Sequence, residues 1–280
     1  MTTPIRRDTA MGRFYDVGGE AFPSVTHILS VIGKPALLNW AAAQEREAVT
    51  EAAADLYLDL ARTAAMAPPL SRPVYLTTLA ARLGTVKAHR RTLEKAGAIG
   101  TQVHAAIEWT LRHQLGQDVG AEPVIDEPAR RVLRAYHAWA ASVALVPRLI
   151  EQTVYSRIHR YAGTMDLLAD INGISTLVDF KTGKAIYGEA HLQNVAYQTA
   201  LIEMGHAEPA GGLIVRLPKV AGDLDFEIAP VTPVAEAFPV FLAVRRLWAW
   251  QQAQDAAYQA RRAPVVTIGQ AGTRPAQGAL

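Results

Sequence analysis

The sequence contains no cysteine in its 280 residues. Disulfide bonds, cysteine nucleophiles, cysteine-ligated zinc sites and iron–sulfur clusters are therefore excluded. A bound metal ion would need ligands from histidine, carboxylate or backbone oxygen atoms, and this donor set favours Mg²⁺, Mn²⁺ or Ca²⁺.

Long apolar runs and a large net charge are also missing. No uninterrupted apolar stretch reaches the ~18 residues that a spanning helix needs, so we expect no membrane association. The first residues carry charge without an apolar segment, which predicts no signal peptide. The formal net charge of +2 is too small to identify a partner. Half of the residues are hydrophobic, which excludes a disordered chain.

The first half of the chain favours helices. Gly18-Gly19 lies between two short β-type segments and predicts a hairpin over residues 13–22. Residues 35–66 are rich in alanine and leucine without a strong breaker, which predicts a long helix. A basic helical run follows and is expected to end near Gly97, and another helix is expected to begin at Gly100.

After Pro147 the pattern changes to short β-type stretches. Asn172-Gly173 lies between two of them and is a strong hairpin signal. The predicted strands are residues 153–158, 163–171, 174–180, 212–216 and 224–228. The predicted helices of this half are residues 189–204 and 234–261.

This order of elements predicts an α/β fold with a mixed central sheet flanked by helices, preceded by a helical N-terminal region. We expect a mainly helical region at 1–96 and a core at 97–263. Residues 264–280 lack periodicity and are expected to be a disordered tail.

Two aspartates and a lysine suggest phosphodiester chemistry. Asp166 and Asp179 fall on two strands whose connecting turn lies midway between them, so both carboxylates are expected at the same end of adjacent strands. Two such carboxylates can bind a divalent cation. Lys181 lies two residues after Asp179, on the same face of the strand, where it can orient a water molecule for attack on a phosphodiester.

Four motifs occur in an order that resembles the PD-(D/E)XK nuclease superfamily, in particular its RecB-like exonuclease branch. They are Gly100-Thr-Gln-Val-His104, Gly163-Thr-Met-Asp166, Asp179-Phe-Lys181 and Gln193-Asn-Val-Ala-Tyr197. The resemblance covers roughly residues 97–200 and implies a core like that of restriction endonucleases. The chain departs from the superfamily name by having Met165 where a proline would stand. Its lack of cysteine resembles the members without an iron–sulfur cluster, such as those of phages.

The resemblance also implies roles for individual residues. Lys181 would be the catalytic lysine, and Gln193 and Tyr197 would support the active site and the DNA backbone. The implied metal ligands are His104, Asp166, Asp179 and the backbone carbonyl of Phe180.

The basic helical run before Gly97 has two interpretations that the sequence leaves open. It can be a solvated helix face, or a surface that follows the phosphates of DNA towards the metal site. Its basic residues are Arg82, Lys87, Arg90, Arg91 and Lys95.

The resulting hypothesis is a Mg²⁺-dependent deoxyribonuclease, with Mn²⁺ as a substitute. It would act as an exonuclease on single-stranded or duplex DNA ends, without marked sequence preference, in recombination, repair or replication. The alternatives are a structure-specific endonuclease and a non-cleaving DNA-binding protein that retains the nuclease fold. The expected location is the cytoplasm of a bacterium or of a phage-infected host cell.

Overall fold

The strands lie in two sheets. The computed structural model describes residues 4–9, 11–63, 70–220, 222–223 and 225–262. In chain order the strands of these residues are β1 (Ile5–Thr9), β2 (Gly12–Val17), β3 (Glu20–Pro23), β4 (Leu145–Ser156), β5 (Tyr161–Ile171), β6 (Ile174–Lys181), β7 (Gly211–Arg216) and β8 (Glu227–Pro230).

The helices supply the layers on both sides of the larger sheet. They are α1 (Val25–Leu29), α2 (Pro35–Thr63), α3 (Arg72–Leu83), α4 (Ala88–Gln114), α5 (Glu127–Ala141), α6 (Gly188–Glu203) and α7 (Val234–Arg262). None of the helices in the described ranges is both long enough and apolar enough to cross a membrane.

The larger sheet has the order β4-β5-β6-β7-β8. Only β6 and β7 are parallel, because helix α6 crosses over between them, and the other pairs are antiparallel. The predicted mixed α/β fold, with a mixed sheet flanked by helices, is confirmed. Its identity with the core of restriction endonucleases stays a prediction.

The β5–β6 hairpin turns at Asn172 and Gly173, as the sequence predicts. Both residues have positive φ, at 51° and 82°, which is the conformation that an Asn-Gly hairpin turn requires. The side-chain oxygen of Asn172 also accepts a hydrogen bond from the backbone N–H of Ala144 at 2.9 Å. This turn fixes Ile171 opposite Ile174 and, through that register, the alignment of everything further along both strands.

Two apolar layers enclose the sheet. On one side, helices α4 and α5 pack Ile107, Tyr136 and Trp139 against Phe180 of β6. On the other side, helices α1, α6 and α7 form a second layer that includes Leu177, next to the β6 residues of the first layer. Strand β6 is therefore buried on both faces, as expected of a central strand with a parallel neighbour.

The expected helical N-terminal region is not evident, because the chain opens with the antiparallel sheet β1-β2-β3. Strands β2 and β3 contact β5, and Tyr15 and Phe22 pack against Tyr155 and Ala162. The hairpin of β2 and β3 was predicted, but β1 was not. All five residues of β1 are exposed, so no alternation of apolar and polar residues marks it in the sequence.

A single helix, α4, replaces the two helices expected to meet between Gly97 and Gly100. The helical structure is interrupted earlier, at Gly84, which caps the end of α3 with φ of 71°. A glycine inside a helix costs only about 1 kcal/mol, and the packing of α4 against α5 outweighs that cost. The expected tail at 264–280 lies outside the described residues.

The continuity of α4 makes a prediction about stability. Gly97→Ala should raise the free energy of unfolding by about 0.5–1 kcal/mol, because alanine has the higher helix propensity and its Cβ would meet no atom within 4 Å. Urea denaturation measures the change. Gly84→Ala is the matched control and should lower stability, since its positive φ strains any side chain. The opposite pair of signs would place the helix break at Gly97 after all.

Candidate metal centre

Three elements bring their side chains to one edge of the sheet. Helix α4 carries His104, β4 carries Glu151 and β5 carries Asp166. In the β4–β5 ladder, Ile150 pairs with Leu167 and Gln152 with Met165, so Glu151 lies directly opposite Asp166. Glu151 has φ of 47°, an interruption of regular strand geometry.

His104, Glu151 and Asp166 form a compact donor cluster. The Nδ1 atom of His104 lies 3.5 Å from Oδ1 of Asp166 and 3.7 Å from Oε1 of Glu151. One donor atom from each residue lies within 4.8 Å of the other two. One imidazole and two carboxylates suit a divalent cation, so these residues could hold a metal ion.

Asp166 is held in place by the neighbouring strand. Its Oδ2 atom accepts a hydrogen bond from the backbone N–H of Phe180 at 2.7 Å. The regular β5–β6 pairing stops at Leu167 and Val178, so this side chain takes the place of the next rung of the ladder. The second oxygen, Oδ1, is thereby directed towards His104.

A second group of side chains lies beside the cluster. The Nζ atom of Lys181 is 2.7 Å from Oδ2 of Asp179 and donates a hydrogen bond to Oε1 of Gln193 at 3.0 Å. The amide Nε2 of Gln193 in turn donates to the hydroxyl of Tyr197 at 3.2 Å. Asp179 is only 2% exposed, so Lys181 is the counter-ion of a buried carboxylate.

The glycine that precedes Asp166 by three residues has a steric role. A Cβ at Gly163 would lie 2.5 Å from Cε1 of Tyr197 and 2.8 Å from its hydroxyl oxygen. Strand β5 can therefore approach helix α6 this closely only without a side chain at this position. This approach places the Gln193–Tyr197 pair over the strand that carries Asp166.

The pKa values of the charged groups at this site are set by two opposing effects, burial and the attraction between opposite charges. Burial lowers the pKa of His104, but Asp166 and Glu151 outweigh it and raise the pKa to about 9. Burial raises the pKa of Asp166, and it raises the pKa of Asp179 to about 6 although Lys181 opposes the shift. Burial lowers the pKa of Lys181, but the carboxylates of Asp179 and Asp166 reverse the shift and raise it.

The structure therefore brings together most of the residues that the sequence singled out. His104 and Asp166 belong to the donor cluster. Asp179 pairs with Lys181 instead, and Phe180 offers its N–H to Asp166. The roles of Asp179 and of the Phe180 carbonyl as metal ligands stay predictions.

Glu151 was not predicted from the sequence. The predicted strand began at residue 153, whereas β4 begins at Leu145. Pro147 and the charged residues at 148 and 151 interrupt the β-type pattern in the first half of this strand, so the sequence does not indicate a strand there. The register of a β4–β5 hairpin could have identified it. If Ser156 pairs with Tyr161, continuing the antiparallel pairing along both strands places Glu151 opposite Asp166.

The donor cluster opens into a cleft of about 810 Å³. Three basic residues that the sequence did not suggest line this cleft, namely Arg6, Arg13 and Lys219. Arg6 and Arg13 both form ion pairs with Asp8. Lys219 donates a hydrogen bond to the carbonyl of Ala96 at 2.6 Å.

The five basic residues expected to follow DNA do not line that cleft. Arg82 forms an ion pair with Asp59 at 2.6 Å. Arg91 donates to the carbonyl oxygens of Leu83 and Val86 and so joins the end of α3 to α4. All five of these basic residues are exposed and none lines the cleft, which favours the interpretation as a solvated helix face.

No protein-family model matches this chain, and no curated protein matches its sequence. The resemblance to the nuclease superfamily therefore depends on the four motifs and on the arrangement of their side chains.

The raised pKa of His104 makes metal binding depend on pH. A metal ion needs the neutral imidazole, so it must displace a proton while the pH is below about 9. We expect the affinity for Mn²⁺ to rise by up to tenfold per pH unit between pH 6.5 and 8.5, and calorimetric titration in buffers of different protonation enthalpy should show proton release.

Variants of the cluster test the assignment of this dependence. Asp166→Asn and Glu151→Gln should weaken Mn²⁺ binding strongly, and His104→Gln should flatten its pH dependence. His137→Gln, at an exposed position of α5, is the matched control and should change neither quantity. Equal Mn²⁺ binding by Asp166→Asn and the unaltered protein would contradict a metal site at these residues.

Proposed function

We propose that this protein is a Mg²⁺- or Mn²⁺-dependent deoxyribonuclease that hydrolyses phosphodiester bonds from DNA ends without marked sequence preference. The observation that carries the proposal is the presence, in one cleft, of the His104–Glu151–Asp166 cluster and the Lys181 ammonium group. A cation site beside a fixed positive charge suits the stabilisation of a phosphoryl group under attack.

The donor cluster would hold the metal ion. When bound, the ion supplies positive charge to the phosphoryl oxygens as the transition state forms. His104, Glu151 and Asp166 would be its protein ligands, and Asp179 lies beside them on the adjacent strand. Oxygen and imidazole ligands suit Mn²⁺ and Mg²⁺, and the chain has no cysteine for an iron–sulfur cluster.

Lys181 has the properties of a fixed cation. Its raised pKa keeps the amine protonated at neutral pH, so it cannot accept a proton from water. Two acceptors, on Asp179 and Gln193, hold Nζ in place. In the proposed reaction Nζ orients the attacking water and stabilises the negative charge that develops on the phosphate.

The bonds that change follow from this arrangement. The oxygen of water forms a bond to phosphorus and releases a proton to solvent, while the bond between phosphorus and the 3′ oxygen breaks and that oxygen takes up a proton from solvent. One product then carries a 5′-phosphate and the other a 3′-hydroxyl. Gln193 and Tyr197 act as positioning residues, because Gln193 accepts a hydrogen bond from Lys181 and donates one to the hydroxyl of Tyr197.

The absence of marked sequence preference fits the cleft wall. Arg6, Arg13 and Lys219 present cationic groups there, and cationic groups bind phosphates that every sequence shares. These residues come from the N-terminal sheet and from the segment after β7, so the cleft depends on elements beyond the four motifs.

Lys181→Met should lower the cleavage of end-labelled linear DNA by more than about 100-fold, because the charge that faces the phosphate is lost. Gel assays with Mg²⁺, Mn²⁺ or EDTA measure this. Lys184→Met, three residues further and exposed, is the matched control and should cleave normally. Retained Mn²⁺ binding by Lys181→Met would separate lost chemistry from misfolding, and undiminished cleavage by that folded variant would refute the assignment.

Closed circular DNA distinguishes the proposed exonuclease from its alternatives. We expect linear single-stranded DNA to be degraded to nucleotides, and closed circles of the same sequence to stay intact because they have no ends. Cleavage of circles, or of branched substrates at one position, would instead indicate a structure-specific endonuclease. Binding of DNA without cleavage under any metal condition would indicate a DNA-binding protein that keeps the nuclease fold.

A further inference from the structure

A second cleft, of about 1040 Å³, adjoins the cleft of the donor cluster. The two clefts share part of their walls, so they are continuous at the proposed catalytic lysine. The shared residues are Thr26, Leu93, Lys181, Gly183 and Gln193.

The second cleft differs in chemistry from the first. Its surface comes from α1 and the start of α2, from the segment between them, from the first part of α4, and from the start of α6 with the segment before it. Large apolar and aromatic side chains dominate it, and several are incompletely buried, such as Leu38 at 76% and Tyr187 at 52% exposure. These side chains are Leu29, Ile32, Leu37, Leu38, Trp40 and Tyr187.

Lys34 lies at the rim of this apolar surface. The Nζ atom of Lys34 lies 5.8 Å from the centre of the Tyr187 ring and 2.5 Å from Oε1 of Glu189. The ion pair with Glu189 holds the ammonium group over one face of the aromatic ring. The cleft therefore combines an aromatic platform with the Lys34–Glu189 ion pair, next to a polar cleft that carries the donor cluster.

We propose that the second cleft binds nucleobases of an unpaired DNA end, while the adjacent phosphate lies at the donor cluster. This inference rests on the proposed nuclease function and names its substrate, a single-stranded end. A single strand presents phosphates along one side and apolar base faces along the other, and the two clefts offer matching surfaces on either side of Lys181.

The continuity of the clefts favours this occupant over an apolar peptide. Binding of an apolar peptide does not require the second cleft to share Lys181 and Gln193 with the cleft of the donor cluster. A nucleotide does require adjoining sites, because its base and its phosphate are a short distance apart. In a duplex the base faces are stacked and paired, so they are not available to Tyr187 or Trp40. Stacking on aromatic rings also tolerates every base, in keeping with the absence of sequence preference.

Binding of oligonucleotides without metal tests the inference separately from cleavage. The probes are a fluorescein-labelled oligothymidylate and the same strand with abasic residues at its terminal positions, in EDTA. We expect the strand with bases to bind roughly 5- to 100-fold more tightly, as expected for aromatic stacking of one base. Tyr187→Ala should remove that difference and leave the affinity for the abasic strand unchanged. Fluorescence anisotropy measures both affinities.

The matched control is Tyr258→Ala, an equally exposed tyrosine near the end of α7 and absent from the lining of both clefts. It should keep the full preference for bases. Equal binding of both strands by the unaltered protein, or equal binding of blunt duplex and unpaired ends, would overturn the inference. So would a dimer that Tyr187→Ala dissociates, because a second copy of the chain would then fill the cleft. A base preference without any metal-dependent cleavage would uphold base binding and refute the nuclease.

Discussion

The desolvation of negative charge at one edge of the sheet is the constraint on which the site depends. Asp166 and Asp179 lie on adjacent strands, and burial raises the pKa of both. Their ionised forms are stabilised by the amine of Lys181, the imidazole of His104 and the N–H of Phe180. These partners are needed because an unpaired buried carboxylate would strongly destabilise the fold. The same excess of carboxylate raises the pKa values of His104 and Lys181, and it leaves His104, Glu151 and Asp166 as a cluster that could hold a metal ion.

The backbone geometry of β4, β5 and β6 brings the carboxylates of Glu151, Asp166 and Asp179 together. The Asn172–Gly173 turn sets the register of β5 and β6, and the regular ladder stops at Leu167 and Val178. Beyond that point a side chain, that of Asp166, satisfies the backbone of β6. On the other side of β5, Glu151 departs from strand geometry opposite the same aspartate. Asp166 is thus flanked by two departures from regular pairing, and both leave polar atoms directed towards the cleft instead of into the sheet.

The parts that the sequence predicted are those that local signals determine. The midpoint position of Asn172–Gly173 placed the two aspartates correctly, at the same end of adjacent strands. Features set by tertiary contacts were missed. Gly97 lies inside α4 because packing outweighs its low helix propensity. All five residues of β1 are exposed and four of them are polar, so no alternating pattern marks this strand. Glu151 lies in the half of β4 where charged residues interrupt the β-type pattern. Arg6, Arg13 and Lys219 reach the cleft from segments distant in sequence, and no spacing rule connects them.

Helix α6 determines how the two clefts are related. It carries Gln193, which accepts a hydrogen bond from Lys181, and Tyr197, which accepts one from Gln193. Tyr187 immediately precedes the helix at its N-terminus. The helix is held close to the sheet, since Asn194 donates to the carbonyl of Leu177 at 3.1 Å and a Cβ at Gly212 would meet the Asn194 side chain at 2.3 Å. A support packed this tightly cannot shift without disturbing buried hydrogen bonds. The separation between the aromatic surface and the lysine is therefore fixed by the fold, so under the proposed function a bound base would position its phosphate without any rearrangement of the protein.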